Sequence, residues 1–284
     1  RSTLDGSLFP YTTLFRSLLY DITIEPVFVD KDVNKERSII TEEIKSYYDD
    51  PEELIMDFAD ESIFANSALA HPIIGSEESV QNITTADIER FHSQFFVPEN
   101  LILSFVGDIP HETVVKFAEK KFGNIARTQY NKPKTELSIY NPNKIVLDKD
   151  YAQNHILYCK RICPYSSEER FPMTALNFIL GEGMSSRLNI TLREKFGMVY
   201  SVYSNLHFFS DSGVLSIYAG SERKNIARIE SIIETEITKL INNKISPKEL
   251  TRAKEQLKAN TIMSMESLSS RMQNLAKSEF MIER

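Results

Sequence analysis

Residues 181–203 read G-E-G-M-S-S-R-L-N-I-T-L-R-E-K-F-G-M-V-Y-S-V-Y. Gly181 and Gly183 close off an apolar helix that ends at Leu180. The spacing predicts a short second helix from Ser185, a natural N-cap, to Lys195. Gly197 ends it, because glycine takes the left-handed conformation at C′ without a Cβ penalty. Alternation then predicts a strand, with Met198, Tyr200 and Val202 on one face and Val199, Ser201 and Tyr203 on the other. Arg193 falls in the last helical turn and Tyr200 is the third strand residue, so the glycine turn could fold guanidinium and phenol towards each other. Converging, they make an anion or carbonyl-oxygen site. Left apart, they are a helix cation near its own C-terminus and an ordinary strand tyrosine.

The rest of the chain supplies the setting. Its 284 residues suffice for two domains of ordinary size. At 42% apolar and 26% charged it has a soluble globular composition. A net charge of −7 disfavours a nucleic-acid backbone or an anionic membrane as partner. No apolar run approaches the roughly 20 residues of a membrane span. The two cysteines, Cys159 and Cys163, follow His155 at a spacing that would share a helix face. Residues 154–162 alternate as a strand, however, and no fourth ligand is near, so two free thiols are the better reading.

In chain order, residues 1–17 show no periodicity and resemble translated adaptor sequence, so they are read as a non-native leader. Helices are expected from residue 17 to a break at Pro26, at 32–48 with a stripe of Val33, Ile40, Ile44 and Tyr47, and at 52–64 with Leu54, Phe58 and Ile63 inward. His71 lies in a loop. Thr84 and Asp87 form a capping-box-like start to a helix reaching about Phe96. Residues 101–106 read as a buried strand and 110–122 as an amphipathic helix. The polar run 127–143 reads as a linker. Strands follow at 144–147, 154–163 and 213–219, with a helix over 227–240. Ser246, Pro247 and Glu249 then open a long helix with a full capping box. Residues 33–44 and 246–257 align without gaps as a faint repeat.

Glu36 and Glu43 lie about two turns apart on one helix, so their carboxylates share a face roughly 10 Å apart. By spacing alone they are two solvated carboxylates, or one metal ligand and one supporting residue. The histidines His71, His92, His111, His155 and His207 form neither H-x-x-E-H nor H-E-x-x-H. Gly181-x-Gly183-x-x-Ser186 follows a helix, not a strand, and is therefore no dinucleotide loop.

Two stretches carry a family resemblance. G-x-G-M-S-S-R-L followed by L-R-E-K-x-G-x-x-Y-S-V-Y closely resembles the second domain of the pitrilysin/insulinase-type metallopeptidases, the inverzincins, nearest the mitochondrial and bacterial processing-protease type. The run from Lys35 through Asp108 resembles the later part of their first domain. The resemblance implies an α+β fold of two related domains, each a mostly antiparallel sheet with helices packed on one side. Residues 18–126 would be the first domain's C-terminal part and 144–284 the second domain, both incomplete.

The resemblance further implies a zinc-dependent metalloendopeptidase acting on peptides or unfolded protein segments. Glu43 would be the third zinc ligand, Glu36 its supporting residue, and Arg193 and Tyr200 the substrate contacts. H-x-x-E-H, which supplies two histidine ligands and a water-activating carboxylate, would precede residue 1. The fragment alone is then expected to be inactive. The implied assembly is a homo- or heterodimer enclosing a chamber, in a bacterial cytoplasm or periplasm. The alternative is a non-catalytic scaffold or substrate-binding subunit, akin to the core proteins of the respiratory cytochrome bc complex.

Overall fold

The computed structural model describes residues 18–125 and 140–282. The expected leader and most of the expected linker lie outside them. Contacts divide the chain into two units. Residues up to Ile44 group with the stretch from Gly75, and Lys45–Ile74 groups with the later part of the chain.

The first unit is helical among its described residues. Residues 18–24 are helical, followed by α1 (Asp30–Tyr47), which runs past the division. Ile44 of α1 is fully buried and Val33, Ile40 and Tyr47 are half-buried, as the stripe requires. Leaving α2 (Pro51–Ile63) to the second unit, the chain continues with α3 (Glu77–Asn82), α4 (Thr85–Phe95) and α5 (His111–Phe122). The expected box at Thr84 forms, with Thr84 accepting from the Asp87 amide and Asp87 from that of Thr84. Rings do much of the packing. His92 stacks on Phe96, with centroids 4.7 Å apart, and meets Phe28 edge-on. Tyr20 meets Phe122 edge-on at 5.2 Å.

Residues 101–106 form no strand, and Leu103 is 46% exposed. A strand is completed by its neighbour's hydrogen bonds, and the described residues of this unit contain no strand to supply them. Residues 144–147 of the second unit also form no strand, since none of the three strands there pairs with them, and Val146 is 77% exposed. The short α3 was not foreseen. Its cap is the Ser76–Ser79 pair, a less conspicuous signal than Thr–Asp.

The second unit is built on three antiparallel strands in the order β1 (Asn154–Ile162), β3 (Gly213–Ser221), β2 (Ser201–Phe208). Asn154 pairs with Ser221 and Ser201 with Gly220, fixing the faces. On one face Val202, Ile217 and Ala219 pack with Leu188 and Leu192 and with Ile229 and Ile233 of α7 (Ile226–Asn242). The last four are fully buried, each stabilising by about 1.5–3 kcal/mol relative to exposure. The opposite face is not bare. α2 covers it, with Ile63 and Phe64 against Val214, and Tyr203 donating to Glu52 at 2.7 Å.

The helix α6 (Arg170–Leu180) ends where expected and packs Phe178 and Ile179 on Ala253 of α8 (Pro247–Glu266). The Ser246–Glu249 capping box with Pro247 opens α8 as expected. A further helix, α9 (Leu268–Ile282), lies beyond the stretch whose pattern was legible. Helices with a small antiparallel sheet make an α+β protein.

Candidate functional site

The turn after α6 is set by a close approach. A Cβ on Gly181 would lie 2.6 Å from Ser204 N and 2.5 Å from its hydroxyl, so only glycine lets the helix end meet β2. Ser204 donates to Asn177 Oδ1 at 2.6 Å, and Asn177 Nδ2 donates to Glu182 at 2.7 Å. Burial pushes the Glu182 carboxyl up. Gly183 follows at φ +88°, a left-handed position.

The second helix differs from expectation in two ways. Ser186, not Ser185, caps it, donating to Gly183 O at 2.7 Å and accepting from the Asn189 amide at 3.4 Å. Ser185 is engaged elsewhere, its carbonyl accepting from Arg252 at 2.9 Å. Residues Asn189–Lys195 are then wound as a π-helix, a rare form often found at functional positions. Gly197 ends it with φ +56°, as read from the sequence. The Gly197 amide donates to Arg193 O and the Met198 amide to Leu192 O.

The strand begins at Ser201, three residues later than alternation predicted. Met198 and Val199 are both buried, because the segment is still turning from the helix into the sheet. Met198 O is held by the Ser221 hydroxyl and the Asn225 side-chain amide. Tyr200 donates its amide to Gly220 O at 2.9 Å, and its side chain is 57% exposed. The phenol lies 3.5 Å from Glu222 Oε1. Arg193 is exposed and has no side-chain partner among the described residues. The two expected contact residues thus stand at opposite ends of one glycine turn, both open to solvent, with no hydrogen bond joining them.

Arg187, central to the same motif, has another role that the sequence reading missed. Its Nε and Nη2 donate to the two Glu249 oxygens at 2.9 and 3.1 Å, and Nη1 lies 3.8 Å from the buried Glu236. Lys239 closes the network on Glu236 at 2.7 Å. The Arg187 guanidinium holds the Glu249 carboxyl far below its ordinary range, at about 2. These side chains line an open cleft of about 510 Å³ with Thr191 and Arg252. The network ties the turn leading into the π-helix to α7 and α8. Glu249 was legible as a cap, but nothing in the sequence marked Arg187 as its second partner.

On α1, Glu36 and Glu43 are exposed and have no side-chain partner among the described residues. No group of three or more His, Cys, Asp or Glu among the described residues is arranged to hold a metal. A zinc site needs more donors than one carboxylate, so these residues alone do not fit the ion. His155 lies on β1, its Nδ1 2.7 Å from the Tyr218 hydroxyl. Burial pushes the Cys159 thiol up to about 12, and Cys159 and Cys163 are unpaired.

Comparison with known proteins places this geometry. The family described as peptidase M16 inactive domain matches residues 82–257, and the chain belongs to it. It is 29% identical over 269 residues to the uncharacterized zinc protease YmxG of Bacillus subtilis, covering 93% of this chain and 64% of that one. The chain spans 60–64% of the length of such curated relatives. Its fold is shared with a crystal structure of a protease from Helicobacter pylori, at TM-score 0.87 and 22% identity, covering 94% of this chain and 67% of that one. It is shared too with a chain of complex III2 from Candida albicans, at TM-score 0.80 and 19% identity, covering 96% and 66%. No helix among the described residues is long and apolar enough to cross a membrane.

Proposed function

We propose that the chain is the substrate-contacting part of a zinc metalloendopeptidase that cleaves peptides or unfolded protein segments. The observation that carries this is the presentation of Arg193 and Tyr200, both solvent-exposed, on either side of the Gly197 turn above a packed core. A guanidinium and a phenol offer donors to a peptide carbonyl oxygen and to the charge that grows on it during attack. The rigid frame beneath them, pinned by Gly181 and Arg187, limits the reorganisation needed on binding. The relatives named zinc proteases support zinc in the whole protein; in this reading Glu43 is one ligand and Glu36 supports it. Residues 18–126 and 144–284 then belong to successive peptidase-like domains, and the working form is a dimer.

The test uses a chain of the relatives' full length. Glu43→Gln replaces a charged donor with a poorer one and should strip or weaken zinc. Glu36→Gln should retain more metal, since a supporting residue typically costs about 10–100-fold. Unchanged metal in Glu43→Gln with loss in Glu36→Gln reverses the assignment. Mixing a zinc-site variant with Tyr200→Phe should restore part of the activity if sites are completed across a dimer. No recovery, with hybrid dimers formed, removes that element.

A second reading has its own support in the family's description as an inactive domain. In it the chain is a non-catalytic scaffold or substrate-binding subunit. A whole protein that retains no zinc and cleaves nothing, yet binds peptides, selects it.

A further inference from the structure

The surface around Tyr200 is basic, although the chain as a whole carries a net charge of −7. Phe196, 37% exposed, has two cations over its ring, Arg228 at 4.6 Å from the centroid and Lys195 at 5.1 Å. A ring contact fixes a cation in place but leaves its N–H groups free for an acceptor. Arg193 lies in the same turn as Lys195, and Arg223 follows Glu222, the residue against the Tyr200 hydroxyl. Both arginines are exposed with no side-chain partner among the described residues. Along residues 193–200 and 221–228 the acids are Glu194 and Glu222, and Glu222 is already engaged by Lys224. The two segments are tied by the bonds of Ser221 and Asn225 to Met198 O, so the cations form one face of the second unit.

We propose that this face, centred on Phe196 with Lys195 and Arg228, is a subsite for an acidic side chain of the bound peptide, next to the bond presented to Tyr200. The inference rests on the peptidase reading for its substrate and goes beyond it in naming the side chain preferred. The aromatic ring supplies an apolar shelf, and the cations above it supply paired donors suited to a carboxylate.

The 284-residue chain suffices for the test. Fluorescein-labelled decapeptides, acetylated and amidated and differing only in a central Glu-Glu, Gln-Gln or Lys-Lys pair, are titrated by anisotropy. The Glu peptide should bind about tenfold more tightly than the Gln peptide, with the Lys peptide weakest and the advantage shrinking as salt rises. In the double variant Lys195→Gln/Arg228→Gln, with its circular dichroism unchanged, the Glu and Gln peptides should agree within roughly twofold. Equal affinities in the unaltered chain, or no binding by any peptide, overturn the proposal. So does a gain confined to a Gln peptide with a free C-terminal carboxylate, or tighter binding of a single-stranded DNA decamer. The two readings fail separately. Zinc-dependent cleavage by the whole protein without preference for Glu sinks this subsite alone. Glu-selective binding in a protein without zinc or cleavage sinks the peptidase reading alone.

Discussion

Residues 101–106 in the first unit, an apolar run, and 154–162 in the second, an alternating stretch, both read as strands, and only the second becomes one. β1 has β3 beside it through Asn154↔Ser221 to Ile162↔Gly213, whereas the described residues of the first unit contain no strand for 101–106 to pair with. The helices show no such asymmetry. α1, α4 and α5 form as fully as α6, α7 and α8, because their hydrogen bonds are internal and their caps are local. The second unit therefore has the better-defined core, with both faces of β3 covered. The first relies more on ring contacts such as His92–Phe96 and Tyr20–Phe122.

Substitution can break or sharpen this contrast. Ile233 is fully buried under the sheet, and Ile233→Ala should cost about 2–5 kcal/mol in urea denaturation. Leu103→Ala, at a site 46% exposed in the run that forms no strand, should fall within about 0.5 kcal/mol. Similar losses at the two positions would mean that 101–106 is packed in solution. Gly181→Ala comes next. Its methyl meets Ser204 backbone at 2.6 Å, so about 1–3 kcal/mol is expected, with the site's frame loosened. A neutral Gly181→Ala would show that α6 and β2 separate easily.

The smallest effects are in pH dependence, and two carboxyls of the second unit act in opposite directions. Glu249 is held at about 2 by Arg187, so its contribution is present above its ordinary pKa near 4.5 and is lost as pH falls towards 2. Asp60 is raised to about 6 by burial and by the charge of Asp57. It binds its proton more tightly folded than unfolded, so stability declines as pH rises from about 4 to 6. Asp60→Asn should flatten the decline, and Glu249→Gln should weaken the acid-side loss, both read as urea midpoints between pH 3 and 7. An unchanged profile in either variant removes that group from the account.

The legible parts were those written locally. Gly197 needed only its own backbone freedom, Pro247 and Glu249 only their place at a helix start, and the end of α6 only the glycines after it. What was hidden depends on distant residues. Ser186 rather than Ser185 became the cap, and the Ser185 hydroxyl instead donates to Gln256 on α8 at 3.4 Å. The β2 boundary moved from Met198 to Ser201 because Met198 is held by Ser221 and Asn225. Arg187 joins carboxylates on two other helices, Glu236 and Glu249, which periodicity cannot pair. Arg193 and Tyr200 were paired by their spacing about Gly197, and the role of substrate contacts came from the family resemblance alone. The structure leaves both exposed, with no hydrogen bond joining them.

The most direct measurement is turnover and zinc content, taken together, for the full-length protein and its Tyr200→Phe variant. Tyr200 is exposed and its hydroxyl lies 3.5 Å from Glu222, its one hydrogen-bond partner among the described residues, so folding and metal should be unaffected. If the phenol holds the reacting oxygen, kcat should fall by about 100–1000-fold with zinc unchanged. A loss confined to apparent substrate affinity would make Tyr200 a positioning contact for bound peptide. Full activity in Tyr200→Phe, or an unaltered protein with neither zinc nor cleavage, would contradict the account.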